Sequence, residues 1–92
     1  MVVGDIVNGI GAIATYTYFQ PAAGVEVMVT SITGRNTVYG GLYDGVTSST
    51  GYVSLNSVGF DGTNAKIGIT NTNYLVYYSS TVPSCFSGVQ IK

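Results

Sequence analysis

The chain has no histidine, no tryptophan, one cysteine, two prolines, and only three basic and four acidic residues. Each shortage removes a class of chemistry. Without histidine, and with Cys85 as the single thiol, there is no Ser-His or Cys-His pair, no zinc ligand set and no intramolecular disulfide. Cys85 reads as an inert buried or interfacial thiol. Arg35, Lys66 and Lys92, set against Asp5, Glu26, Asp44 and Asp61, cannot form the positive stripe that phosphate backbones require, so nucleic acid is not an expected partner. No segment reaches the roughly 20 continuous apolar residues of a membrane-spanning helix. The apolar start, residues 1–14, lacks a basic leader and is interrupted by Asp5, Asn8 and glycines, so it does not read as a signal peptide.

The carboxylates do not suggest catalysis. Asp44 and Asp61 sit in Asp-Gly pairs, where aspartate accepts backbone N–H bonds in turns, and Glu26 lies on the polar face of a strand as a solvated or salt-bridging group. Asp61, Asn64 and Asn71 lack the Asp-x-Asp-x-Asp-Gly spacing and closing glutamate of a calcium loop. We therefore expect no enzyme activity, no cofactor and no metal.

What remains is an apolar chain of low charge. Of 92 residues, 46% are hydrophobic and 8% charged, against about 25% charged in ordinary soluble domains. Mean hydropathy is +0.36. A chain of this size buries only about 60% of its unfolded surface, so apolar surface is left for association. One domain, residues 1–92, is expected.

Val, Ile, Thr and Tyr dominate, with Gly, Asn and Asp at short intervals, and the helix formers Leu, Met, Glu and Lys are scarce. The clearest strands are Ala14–Phe19, Val25–Ile32 (with Val25, Val27 and Val29 on one face), Ala65–Thr70 (with Ala65, Ile67 and Ile69 inward) and Ser87–Lys92. Gln20–Gly24, Gly34-Arg35-Asn36, Asp44-Gly45, Phe60-Asp61-Gly62 and Asn71–Asn73 read as turns, and Gly40-Gly41 as a bulge or close backbone approach. Tyr52–Asn56 reads as a further short strand. These features predict an all-β fold with little or no helix: an antiparallel, jelly-roll-like β-sandwich of six to eight short strands.

Two segments stand out. Residues 1–12 carry Val2, Val3, Ile6, Val7 and Ile10 among three glycines, too apolar for a solvated tail, and are expected to form an arm buried by a neighbour. Tyr74–Tyr78 has no polar face, so it is expected to be covered on both sides, with Tyr74, Val76 and Tyr78 toward the core and Tyr77 toward a second subunit. Tyr39 and Tyr43 join Tyr77 as candidate interface residues, because a tyrosine ring buries apolar area while its hydroxyl keeps a partner.

The stretches Tyr16–Ile32, Ile69–Leu75 and Ser87–Lys92 resemble small β-rich virion proteins of tailed bacteriophages, of the decoration or cement type. The resemblance implies a capsid decoration protein that forms a homotrimer or similar oligomer and staples neighbouring subunits of the major capsid protein, or contacts another virion protein. No residue role is carried over, because no family motif has an assigned role here. The alternative is a receptor- or glycan-binding module of a tail fibre or surface adhesin, using exposed Tyr and Asn side chains.

Overall fold

The computed structural model describes residues 2–92, the side chains of 51–65 lying outside the description. The fold is all-β and antiparallel, with no helix among the described residues: β1 (Ile6–Ile10), β2 (Thr17–Phe19), β3 (Val27–Tyr43), β4 (Ser48–Ile69), β5 (Tyr74–Ser79) and β6 (Cys85–Gln90). All six belong to one sheet.

The strands are not all short. β3 and β4 form a hairpin of 17 and 22 residues. Its tip is the Asp44-Gly45 turn, where Asp44 Oδ1 accepts the N–H of Val46 at 2.9 Å and of Thr47 at 2.7 Å. The two other turn signals prove to lie opposite one another, Gly34 against Asp61 and Arg35 against Phe60. Neither ends a strand; together they bend the hairpin midway, with Asn36 in the left-handed region at φ 65°. The expected strand over Tyr52–Asn56 is absorbed into β4, and the side chains of Tyr52, Asp61 and Asn64 lie outside the described residues.

The free edge of β3 is shared. Its first half pairs with β6 (Val27↔Gln90 to Thr33↔Cys85) and its second half with β5 (Val38↔Ser79 to Tyr43↔Tyr74). Beyond them, β1 pairs with β6 and β2 with β5. A straight strand of 17 residues would run about 56 Å at the usual rise per residue, yet the longest dimension of the molecule is 38 Å. Residues 70–73 also bridge from Ile69, opposite Val27, to Tyr74, opposite Tyr43, so the two ends of β3 must approach each other. The sheet is therefore curled into a half-barrel, with its two halves facing across the core.

The core follows from the alternation and from one bulge. Val27 and Val29 point inward at odd positions; the register shift around Thr30 changes the parity, so that Ile32 and Val38 point inward at even ones. With Ile67, Ile69, Leu75, Tyr77, Phe86 and Val7 they form the buried cluster. Gly40 occupies a further register shift, and a Cβ at Gly41 would run into the carbonyl oxygen of Ser49, so the glycine pair serves both as bulge and as close approach. At the bend the ladder is replaced by hydroxyls: the Arg35 carbonyl accepts from Ser79 Oγ, Ser80 Oγ and Thr81 Oγ1, while Ser79 Oγ accepts the Arg35 N–H at 2.9 Å.

Two expectations need correction. The N-terminal segment is not wholly an arm, because residues 6–10 form an edge strand that contributes Val7 to the core. Deleting it would uncover Phe86 and β6. The faces of Tyr74–Tyr78 are also reversed: Leu75 and Tyr77 face the core and Tyr77 is 3% exposed, while Tyr74 and Tyr78 look outward. A strand with no polar face cannot reveal from its own sequence which side is the core, and here the curl of the sheet supplies the inner cover.

The two N–H bonds at the hairpin tip hold the Asp44 carboxyl below its ordinary value of 3.8, the Thr47 bond contributing most. A carboxylate with a depressed native pKa adds stability above its unfolded value and loses it as pH falls through the native one. Asp44→Ala should therefore melt below the wild type at pH 7, with the difference fading as pH drops below 3.8. Thermal melts from pH 2 to 7 check this.

Candidate functional site

β2, β5 and the second half of β3 lie side by side, and their outward positions are filled by tyrosine. Tyr43 is opposite Tyr74, Tyr39 opposite Tyr78, and Tyr18 opposite Val76. Equal strand parity places Tyr39 with Tyr43, and Tyr74 with Tyr78, on one face, because each pair is separated by an even interval; Tyr16, just before β2, reaches the same face by stacking on Tyr78.

The rings form two rows across the strands. In one, Tyr78 lies between Tyr16, at a centroid distance of 4.7 Å, and Tyr39, at 5.7 Å. In the other, Tyr43 lies between Tyr18, at 4.6 Å, and Tyr74, which it meets edge-on at 5.4 Å. Pairs at these separations contribute about 0.5–1.5 kcal/mol beyond area burial. They also set the rings against one another, and Val76 beneath them is fully covered. Tyr16 and Tyr18 remain 47% and 48% exposed, while Tyr39, Tyr43, Tyr74 and Tyr78 are half-buried. The Tyr43 hydroxyl donates to the Gly45 carbonyl at 2.9 Å, which ties this face to the hairpin tip. The result is an uncharged surface of aromatic faces and phenolic hydroxyls, suited to flat contact with a protein or a sugar ring without desolvating a charge.

The residues singled out from the sequence fall in three places. Tyr39 and Tyr43 belong to the tyrosine face. Val2, Val3, Ile6 and Ile10 are exposed on the other half of the sheet, at and before β1. Val7 and Tyr77 are buried within the chain's own core, Tyr77 packing edge-on against Phe86 at 5.2 Å. Burial raises the Tyr77 phenol above its ordinary value of 10.0, with the nearby Cys85 thiol adding to the effect. Sequence reasoning left Tyr16, Tyr18 and Tyr74 out of the interface set; the signal available was their even spacing, legible only with a strand register.

The acidic groups whose side chains are described have structural partners. Asp5 Oδ2 accepts the Val2 N–H at 2.9 Å, Glu26 pairs with Lys92 at 3.5 Å on the surface, and Asp44 holds the hairpin tip. A depression of about 280 Å³ beside that ion pair is lined by Gly24, Glu26, Thr70, Asn71 and Lys92. Cys85 is half-buried, with its Sγ 2.6 Å from Thr33 Oγ1. Among the described residues no group of three or more His, Cys, Asp or Glu converges. No described helix is long and apolar enough to cross a membrane.

Comparison of the chain with protein-family models, with curated proteins and with solved structures finds no match in any of the three.

Proposed function

We propose that this chain is a non-enzymatic structural protein of a bacteriophage virion, a capsid decoration or cement protein that self-associates on the shell and stabilises it. The observation that carries the reading is the amount of exposed apolar side chain on so uncharged a molecule. Val2, Val3, Ile6, Ile10, Ile13, Tyr16, Tyr18, Val46 and Ile91 are all exposed by 46% or more. Scattered single hydrophobes are ordinary on protein surfaces, but here Ile6 and Ile10 share one strand face and the tyrosines pave another. Two apolar faces on opposite halves of the sheet suit a protein that must touch both its own copies and a larger support. The expected jelly-roll-like sandwich is met only as far as an all-β, antiparallel fold, since the six strands form one curled sheet.

The test is location and stoichiometry. Quantitative mass spectrometry of purified particles should find the chain in a copy number comparable to that of the capsid subunit, and particles lacking it should rupture at lower temperature. Absence from the particle, or a copy number typical of a tail fibre, overturns the reading.

The tyrosine face favours a second reading, a receptor- or glycan-binding module, because exposed rings flanked by hydroxyls form a workable sugar platform. Under it, a glycan array should show binding that Tyr16→Ala and Tyr18→Ala each reduce at least tenfold, the equivalent of about 1.4 kcal/mol. Undiminished binding in both variants excludes this face.

A further inference from the structure

β1 ends the sheet, pairing only with β6. Gln90 N–H donates to the Asp5 carbonyl at 3.0 Å and Gly11 N–H to the Ser84 carbonyl at 2.7 Å. From Asp5 to Gly11 the odd-numbered residues therefore direct their backbone groups at β6; just before them Gly4, at φ 91°, also donates its N–H to the Gln90 carbonyl at 2.8 Å, a bulge that ends the regular ladder. By the alternation of an antiparallel ladder, the N–H and C=O groups of Ile6, Asn8 and Ile10 point to the open edge. The same three residues have exposed side chains, Ile6 at 77% and Ile10 at 79%.

Natural edge strands are usually blunted by lysine, proline, a bulge or an inward charge. Within Ile6–Ile10 β1 has none of these: it reads Ile6-Val7-Asn8-Gly9-Ile10 and pairs with β6 without a register shift, the bulge and the Asp5 carboxylate lying just before it. Its outward residues, Ile, Asn and Ile, read the same in both directions. A two-fold interface sets residue i against j and j against i, so such a strand meets its own copy with isoleucine on isoleucine and asparagine on asparagine.

We infer that β1 is the pairing edge for a second copy of this chain, in an antiparallel, two-fold arrangement centred on Asn8. In this register Asn8 faces its own counterpart, and Ile6 of each copy faces Ile10 of the other. All three positions carry outward backbone groups, so every pair exchanges both of its hydrogen bonds. The four isoleucines cover one another in cross-strand pairs. Asp5 falls opposite Gly11, so no like charges meet. The inference rests on the reading of the chain as a self-associating protein, and names the surface and symmetry through which it does so.

Single-cysteine variants of the purified protein, made in a Cys85→Ser background, test the register. Directly opposed residues of a hydrogen-bonded pair have Cα atoms about 5.5 Å apart, within disulfide range, whereas residue 6 and its own counterpart are offset by about 13 Å. Mild oxidation should cross-link Asn8→Cys with itself. Ile6→Cys and Ile10→Cys should each stay uncross-linked alone and cross-link when mixed. Asn8→Pro removes an N–H that β6 does not use, so light scattering should find a monomer with unchanged circular dichroism. Should that variant misfold, the cysteine series still decides. Equal cross-linking at all three positions, a wild type that is monomeric at high concentration, or an intact dimer in a folded Asn8→Pro variant overturns the pairing. A chain that assembles on capsids without this cross-link pattern loses the pairing and keeps the assembly reading; the pattern without capsid association does the reverse.

Discussion

Tyr77→Asp should leave the chain unfolded at 25 °C, whereas Tyr77→Phe should fold normally. Tyr77 is 3% exposed, packs edge-on against Phe86, and joins β5 to the core cluster under β1. Losing the ring costs about 3–5 kcal/mol as a large-to-small core change, and an unpaired buried carboxylate costs several more unless it takes up a proton. Those two costs together reach the stability of a typical small domain, about 5–15 kcal/mol in all. Circular dichroism and urea unfolding decide the matter. An oligomer that merely dissociates, with its β signal intact, would show that Tyr77 belongs to a subunit interface. The phenylalanine variant adds a pH signature: because the native phenol titrates above 10.0, the unfolded state loses its proton first and wild-type stability falls as pH rises past that value. Tyr77→Phe removes that part of the alkaline loss. Comparing urea midpoints of the two proteins between pH 8 and 11 measures it.

Gly88→Val should also be strongly destabilising, though it adds only apolar atoms. A Cβ at Gly88 would lie 2.5 Å from the Met28 carbonyl oxygen and 2.9 Å from Val29 Cα, with no flexible side chain to move aside. β6 meets β3 just where the register shifts, Val29 pairing with Gly88 and Ser31 with Ser87. Relief of the clash requires β6 to withdraw from β3, and β1 is carried on β6. We expect a loss at or above the 1–3 kcal/mol usual for overpacked cores, about 3 kcal/mol. Gly68→Val, at a position where a Cβ meets nothing within 4 Å, is the control and should be close to neutral. The difference between the two urea midpoints reads the strain directly, and equal midpoints would refute the close approach.

The alternating segments were the most legible part of the chain. Val25, Val27 and Val29, together with Ile67 and Ile69, were readable as inward-facing because each strand has a polar face to contrast with its apolar one, and the structure buries Val27, Val29, Ile67 and Ile69 completely. Asp44-Gly45 was readable as a hairpin tip because its chemistry is local, with a carboxylate accepting N–H bonds two and three residues ahead. The same local logic misread Gly34-Arg35-Asn36 and Phe60-Asp61-Gly62. Residues that permit a reversal also permit a bend within paired strands, and the choice depends on what lies opposite. The tyrosine face was half legible: Tyr39 and Tyr43 were identified, while Tyr16, Tyr18 and Tyr74 join them only through pairings between distant segments.

The composition by itself determined that this protein is a β-rich, nearly uncharged chain without the groups for histidine-dependent catalysis or an internal disulfide, because those properties depend on which residues are present. Period-2 alternation determined which residues share a face within a strand, since that is a property of extended backbone. Only the tertiary structure decided which face is inside. Tyr74–Tyr78 is apolar on both sides, so its inner face is chosen by the curl of β3 and β4, which brings Phe86 of β6 over Tyr77 and leaves Tyr74 and Tyr78 outside. Nor could the first residues declare from their own pattern whether they were arm or strand. β6 offers them an unpaired edge, and joining it pairs that edge with the backbone groups of β1 that face it, while leaving Ile6 and Ile10 in the open.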